Sequence, residues 1–274
     1  MSLTDEQKQS YQKDGIISFK NAVPHGLIDQ YNAEVSEFRK TCGETKDEHG
    51  FGQRIGCLHV EVEPARKILF NPVVVEAIQE LFNEEPLLLG SLTFEAGTQQ
   101  HAHDDSIFFY TTPANSMIGA WTALEDINPD AGPIFYYPGS HLWGLDGREE
   151  ILKKFPELAD GKARNEKTPG NFGMAWTQLL DEKIEERNAQ KIVAEMEKGD
   201  TVIWHGNVIH GGIEKRNPKL TRKSIVGHFM RKSAQLYDRY FELNKNEFTE
   251  ENAFKYQTLK KTVAYIAHPG PVTC

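Results

Sequence analysis

Residues 87–124 read LLLGSLTFEAGTQQHAHDDSIFFYTTPANSMIGAWTAL, and this stretch decides the fold class. Short apolar and aromatic runs alternate in it with Gly, Pro and Asn, which is the pattern of strands joined by turns. Similar runs follow downstream, so the pattern predicts a mainly β fold, a sandwich or barrel. The predicted strands are Leu87–Phe94, Ile107–Thr111, Met117–Leu124, Pro133–Tyr137, Thr201–Trp204 and Arg222–Met230.

The residues before this stretch are predicted to be mostly helical, with a first strand at Ile16–Phe19. Thr4 followed by Gln7 has the spacing of a capping box and begins the first helix. Apolar residues at helical spacing predict a second helix from Pro24 to about Arg39, and a third begins at Asn71. We expect one domain over residues 1–274, with an insert at about 142–198 that forms a lid or binding loop.

Composition excludes several classes of protein. Of the 274 residues, 39% are hydrophobic and 26% charged, which is ordinary for a globular domain. The net charge of −9 argues against nucleic acid as a partner. Three cysteines, Cys42, Cys57 and Cys274, suggest neither a disulfide framework nor a thiolate zinc site. No apolar run reaches the ~20 residues of a membrane span, and nothing resembles an export signal, so we expect a cytoplasmic protein.

Histidines and carboxylates in residues 100–105 are the strongest chemical signal. If residues 99–109 are extended, His101, His103 and Asp105 project to one side. His103 and Asp105 then form an HxD pair that can bind one metal ion, and His210, which lies after a predicted strand, is the natural third ligand. Two imidazoles and one carboxylate leave part of the metal's coordination sphere open, as non-haem Fe(II) oxygen chemistry requires.

Arg222, at the start of the last predicted strand, extends this interpretation. A guanidinium at a strand end can hold a carboxylate by two parallel hydrogen bonds. A dicarboxylate co-substrate could therefore reach from Arg222 to the metal.

In order and rough spacing, these features resemble the phytanoyl-CoA dioxygenase family of Fe(II)/2-oxoglutarate oxygenases. The resemblance covers residues 3 to about 231. It is carried by the opening helix and by residues 103–111, 119–126, 131–141, 199–205, 210–212 and Arg222.

This resemblance implies a double-stranded β-helix, a jelly-roll barrel in which His103, Asp105 and His210 hold Fe(II). It implies that Arg222 binds the distal carboxylate of 2-oxoglutarate and that Trp121 lines the co-substrate pocket. Hydroxylation with release of succinate and CO2 is the default outcome. Halogenating relatives replace the carboxylate ligand by Ala or Gly, so Asp105 argues against halogenation, whereas desaturation, cyclisation and epoxidation stay open.

One position departs from the family pattern. Some members carry a serine two residues after the distal histidine, where it helps to bind the co-substrate carboxylate, but this chain has Gly212. We therefore expect Arg222 to be assisted from elsewhere, by Ser91 or Thr93 on the preceding strand.

Three other functions remain open. His101, His103 and His210 could form a three-histidine, cupin-like dioxygenase site in which Asp105 is dispensable. A jelly-roll that only binds a small molecule would leave the triad and Arg222 without a purpose. A zinc hydrolase with two histidines and one carboxylate is chemically allowed but leaves Arg222 and Trp121 unexplained.

The substrate is less well defined, because resemblance to a family predicts the type of reaction more reliably than the substrate. We expect a small or medium metabolite, with recognition from Arg54 and from Trp143 and Trp176 in the insert. The remaining histidines are interpreted as structural, with His141 in a turn and His205 and His228 packed in the core.

Overall fold

The strands form one large and two small sheets. The structure is a computed structural model that describes residues 2–42, 54–145, 147–160, 172–237, 257–259 and 263–265. The strands are β1 Ile16–Phe19, β2 Ile55–Gly56, β3 Pro86–Phe94, β4 Tyr110–Thr112, β5 Met117–Ala123, β6 Ile134–Tyr136, β7 Ile192–Val193, β8 Thr201–His205, β9 His210–Gly212, β10 Ser224–Arg231, β11 Gln235–Tyr237, β12 Gln257–Leu259 and β13 Val263–Tyr265. In the large sheet the order is β1-β8-β5-β10-β3-β13-β12, and β2 also pairs with β3.

The small sheets have the orders β7-β6-β9 and β11-β4. Ile134 and Tyr136 of β6 pack in one apolar cluster with Trp121 of β5 and Val202 of β8, so the first small sheet closes over the inner face of the large one. This architecture is the predicted double-stranded β-helix.

Helices cover the outer face of the large sheet. They are α1 Asp5–Asp14, α2 His25–Cys42, α3 Glu63–Leu69 and α4 Pro72–Phe82. Two further helices, α5 Gly147–Lys154 and α6 Phe172–Glu186, pack in a separate cluster with Phe135, Tyr137 and Ile209 at the first small sheet. The inward residues of α2 and α4, such as Ile28, Tyr31 and Ile78, join Ile118, Ile203 and Phe229 of the sheet in the largest core cluster. The capping box of Thr4 and Gln7 is present at the start of α1.

Strand register gives the large sheet two buried faces. Partners directly opposite in antiparallel strands point to the same face, and successive residues alternate. The row Trp204, Gly119, His228 and Gly90 faces the interior of the barrel. The next row, Ile203, Ala120, Gly227 and Ser91, faces the helices.

The structure differs from the prediction at α3 and at the strand expected before β5. The short helix α3 was not predicted, because its seven residues include Pro64 and are too few to show a clear period. The strand predicted at Ile107–Thr111 is replaced by a 3-10 turn at Asp105–Ile107, and β4 begins only at Tyr110. The insert contains α6. Among the helices that the structure describes, none combines the length and apolar character that crossing a bilayer requires.

The buried His59, just before α3, predicts acid sensitivity of the fold. Its Nδ1 lies 2.7 Å from Ser91 Oγ, and burial, with nearby Arg66, lowers its pKa to about 4. In the unfolded chain the pKa is about 6.5, so protons bind the unfolded state more tightly and stability falls as the pH drops from 6.5 towards 4.

The amide of His59→Gln can still bond Ser91. When the pH falls from 7.5 to 5, we expect the free energy of unfolding of this variant to fall by about 2 kcal/mol less than that of the wild type. Urea unfolding of both proteins across this range measures the difference. His25→Gln, which alters an exposed histidine, is the control. If the free energy of unfolding fell equally with pH in wild type and His59→Gln, His59 would not be the source of the acid sensitivity.

Candidate metal and co-substrate site

The three predicted metal ligands converge inside the barrel. His103 and His210 form an isolated antiparallel bridge in which each backbone N–H donates to the other's carbonyl, at 2.9 and 2.8 Å. Asp105 follows in the 3-10 turn, which Asp104 caps. One ligand atom from each of His103, Asp105 and His210 lies within 4.8 Å of the others. The bridge therefore brings together ligands that are far apart in the sequence.

Backbone carbonyls orient both imidazoles. His103 Nδ1 lies 2.7 Å from the carbonyl oxygen of His101, and His210 Nδ1 lies 2.9 Å from that of Val208. A carbonyl only accepts hydrogen bonds, so each Nδ1 carries the proton and each Nε2 is left with its lone pair free. Second hydrogen bonds of this kind typically fix the ring orientation of metal-binding histidines.

The charge states also suit a metal. Burial lowers the pKa of His103 to about 3, so the ring is neutral near pH 7, the state in which histidine binds metals. Burial alone raises the pKa of Asp105, but the neighbouring His210 and His228 outweigh it and the net pKa lies well below its usual range. The neutral His103 imidazole and the ionised Asp105 carboxylate belong to the donor set expected for non-haem Fe(II).

Two further side chains contact the Asp105 carboxylate. Trp204 Nε1 donates to Asp105 Oδ2 at 2.7 Å, and its indole ring lies 4.7 Å from the His210 ring. His228 Nε2 lies 3.6 Å from Asp105 Oδ1. Sequence reasoning did not single out Trp204 and interpreted His228 as a core residue. Alternation assigns each residue to one face of its strand, but only the pairing of β8 and β10 with β5 brings both into one row across the sheet.

Arg222 presents a buried guanidinium for which the described residues provide no hydrogen-bond partner at two nitrogens. Its side chain is 2% exposed, and among the described residues neither Nε nor Nη1 has a hydrogen-bond partner. The rings of Phe94 and Trp121 each lie 5.5 Å from its Cζ. Burial lowers its pKa to about 10, so it remains cationic near pH 7. An unpaired buried cation is costly, so this geometry fits an anionic ligand.

Strand register relates Arg222 to the triad. Trp121, which contacts Arg222, lies two residues from Gly119 on the same face of β5. Gly119 in turn shares a row with Trp204 and His228, which surround Asp105. Rows two residues apart are separated by about 7 Å along a strand. Arg222 and the triad thus lie on the same inner face of the sheet, at a spacing suited to a short dicarboxylate.

The expected assistance from Ser91 or Thr93 requires correction. Thr93 Oγ1 lies 2.6 Å from the hydroxyl of Tyr31 on α2, and Ser91 bonds His59. Both residues alternate with Phe94 and Leu92 and so face the helices, whereas Phe94 faces Arg222. The structure does not bring either hydroxyl to the guanidinium.

Gly212 lies against the segment that precedes the first ligand. A Cβ added there would lie 3.1 Å from the backbone nitrogen of Gln99. A serine at this position would need the Gln99 backbone to move by a few tenths of an ångström. The close contact gives a physical reason for glycine where some family members carry serine.

The predicted substrate residues are dispersed. Trp176 of α6 is 3% exposed and its Nε1 donates to Asp104 Oδ2 at 2.6 Å, so it cannot contact a substrate in this conformation, and that expectation is corrected. Trp143 is half-buried, with the Arg187 guanidinium 4.9 Å from its ring. Arg54 is half-buried and directly precedes β2.

The three-histidine alternative is not supported by the geometry. The His101 side chain is exposed, and the group of potential ligands found among the described residues contains Asp105 in its place. His101 contributes its backbone carbonyl, which orients His103. His205 lies on the helix-facing side, where its ring is 6.2 Å from Tyr11 and 5.2 Å from His141, as expected for packed histidines.

Sequence comparison finds the same family as the motifs. The family model described as phytanoyl-CoA dioxygenase matches residues 11–224, well over half of the chain. The peroxisomal phytanoyl-CoA dioxygenase of Homo sapiens is 25% identical over 252 residues, which covers 83% of this chain and 68% of the human protein.

Solved structures share the fold at low sequence identity. The epimerase SnoN, in a complex with Fe3+, alpha ketoglutarate and nogalamycin RO, matches with a TM-score of 0.65 at 16% identity over 98% of this chain and 97% of its own. EctD from S. alaskensis, with 2-oxoglutarate and 5-hydroxyectoine, matches with a TM-score of 0.64 at 13% identity over 91% and 86%. These likenesses concern the architecture of the barrel.

Proposed function

The chain belongs to the phytanoyl-CoA dioxygenase family, and from this premise we propose that it is an Fe(II)- and 2-oxoglutarate-dependent dioxygenase that hydroxylates an unactivated C–H bond of a small or medium metabolite. One observation carries the proposal: a convergent His103, Asp105 and His210 triad shares the inner barrel face with the buried Arg222 guanidinium, whose Nε and Nη1 have no hydrogen-bond partner among the described residues. Neither a hydrolase nor a passive binding protein needs both.

Different residues would bind the metal and the co-substrate. His103, Asp105 and His210 would hold Fe(II), and Arg222 would bind the distal carboxylate of 2-oxoglutarate. Phe94 and Trp121 keep water from the guanidinium, which strengthens its attraction for a carboxylate. When bound, the metal and co-substrate supply the oxidation, in which O2 inserts one oxygen atom into the C–H bond and the other into succinate as CO2 leaves.

The surroundings of the triad suggest a carbon-rich reacting portion of the substrate. Phe108 is half-buried and its ring lies 5.8 Å from that of His103. Phe109 lies 4.8 Å from the His228 ring. The insert at 142–198 acts in this proposal as a lid, and Arg54 and Trp143 remain candidates for contacts with the rest of the substrate.

A succinate-release assay against a panel of metabolites tests the activity. We expect succinate to form only with Fe(II), 2-oxoglutarate and O2 together, and to rise above the substrate-free rate with compounds that fit the site. If metal-loaded, folded protein neither binds 2-oxoglutarate nor forms succinate, the proposal fails.

His101→Ala separates the two possible ligand sets. We expect the variant to retain Fe(II)-dependent succinate formation within about threefold of wild type, because only the His101 carbonyl supports the site and alanine keeps it. Succinate release and Fe(II) titration measure the outcome. Loss of metal binding in His101→Ala together with its survival in Asp105→Ala would support the cupin-like alternative.

We propose a cytoplasmic location because the three cysteines form no disulfide pattern, which fits a reducing compartment. The human relative is named as a peroxisomal protein. Fractionation of source cells with an antibody to this chain decides the location.

A further inference from the structure

The indole of Trp204 holds the outer oxygen of the proposed carboxylate ligand. Its Nε1 donates to Asp105 Oδ2 at 2.7 Å. The other oxygen, Oδ1, lies 3.8 Å from His210 Nε2 and 3.6 Å from His228 Nε2. The two carboxylate oxygens thus have different environments before any metal is bound.

The indole is itself fixed in position. Trp204 is 4% exposed, and its ring packs 4.7 Å from that of His210. Gly119, opposite in β5, makes room for it, because a Cβ there would lie 2.4 Å from the indole Cε2 and Nε1. A packed ring of this kind holds its N–H at a constant direction.

We propose that Trp204 is a positioning residue that keeps Asp105 a one-oxygen ligand of the metal. This inference rests on the proposed function. Three protein donors would leave positions on the metal open for the oxoacid and O2. If both oxygens of Asp105 bound, one of these positions would be lost. The indole N–H opposes that state, because Oδ2 would have to give up a buried hydrogen bond.

Trp204→Phe removes the N–H and retains an aromatic ring beside His210. Co(II) serves as the probe, because its visible absorption reports coordination number without turnover. We expect Co(II) affinity to fall about 10-fold or more, the absorption spectrum to change, and the affinity of 2-oxoglutarate for the Co(II)-loaded protein to fall.

Tyr31→Phe is the control, since it also removes one buried hydrogen bond, that to Thr93 Oγ1, but on the helix-facing side of the sheet. We expect its Co(II) affinity and spectrum to equal those of wild type. Wild-type affinity and an unchanged spectrum in a folded Trp204→Phe would overturn the positioning role and leave the proposed function standing. Failure of the wild-type protein to bind Co(II) and 2-oxoglutarate would overturn both.

A second measurement avoids the Trp204 variant if it does not fold. The chain has four tryptophans, so 15N labelling of the indoles gives four N–H signals, which Phe variants of the other three assign by elimination. On Co(II) binding, the Trp204 signal should show the largest paramagnetic shift, because its N–H bonds directly to a ligand. A Trp204 shift no larger than that of Trp143 would overturn the inference.

Discussion

Asp105→Ala is expected to abolish the absorption band that forms when Fe(II) and 2-oxoglutarate are added without O2, and to lower succinate formation at least about 100-fold. The substitution removes one of three metal donors and the negative charge that balances the cation. It also leaves the N–H of Trp204 buried without its acceptor. Anaerobic absorption spectra and succinate release measure the two effects.

Asp104→Asn is the control for this prediction. The Asp104 side chain points away from the triad, where it accepts hydrogen bonds from Trp176 and from the backbone of Ile107. We expect Asp104→Asn to retain the absorption band and Asp105→Ala to lose it. Circular dichroism should show that both variants are folded. An intact band in Asp105→Ala would remove Asp105 from the ligand set.

Arg222→Met is expected to raise the KM for 2-oxoglutarate at least about 100-fold, which corresponds to about 3 kcal/mol of lost binding. The guanidinium is buried, cationic and without a partner among the described residues, so the ligand carboxylate gains its full charge-assisted interaction. Kinetics at varied 2-oxoglutarate concentration measure the change.

The same substitution should stabilise the protein when no ligand is present. It replaces an unpaired buried charge by an apolar side chain of similar length, and such replacements are often stabilising. A gain of about 1 kcal/mol would raise the melting temperature by about 2–4 °C. Arg216→Met changes an exposed arginine and should alter neither the KM for 2-oxoglutarate nor the melting temperature. A wild-type KM in Arg222→Met would place the co-substrate elsewhere.

The sequence predicted most of the large sheet and all the residues of the proposed metal triad. Strand and turn patterns placed Leu87–Phe94 and Met117–Leu124 within one residue of β3 and β5. The HxD pair stood out because histidine and aspartate two positions apart share a side of an extended chain. The true local structure is a bridge followed by a 3-10 turn, yet His103 and Asp105 still face one centre.

Periodicity could not decide which face of a strand looks into the barrel. Helices cover one side of β3 and the small sheet closes over the other, so nearly every residue of β3 is buried and no polar alternation marks the sides. For this reason Ser91 and Thr93 were assigned to Arg222, although they bond His59 and Tyr31.

By itself, then, the sequence determined the β-barrel class and singled out the residues of the proposed metal triad and the arginine proposed to bind an anionic co-substrate. These are carried by residue types and short spacings, which local geometry fixes. Only the tertiary structure decided that Trp204 and His228 surround Asp105, because these contacts join strands that are far apart in the sequence. It also decided that Trp176 is an internal residue bonded to Asp104, since burial depends on how the insert packs.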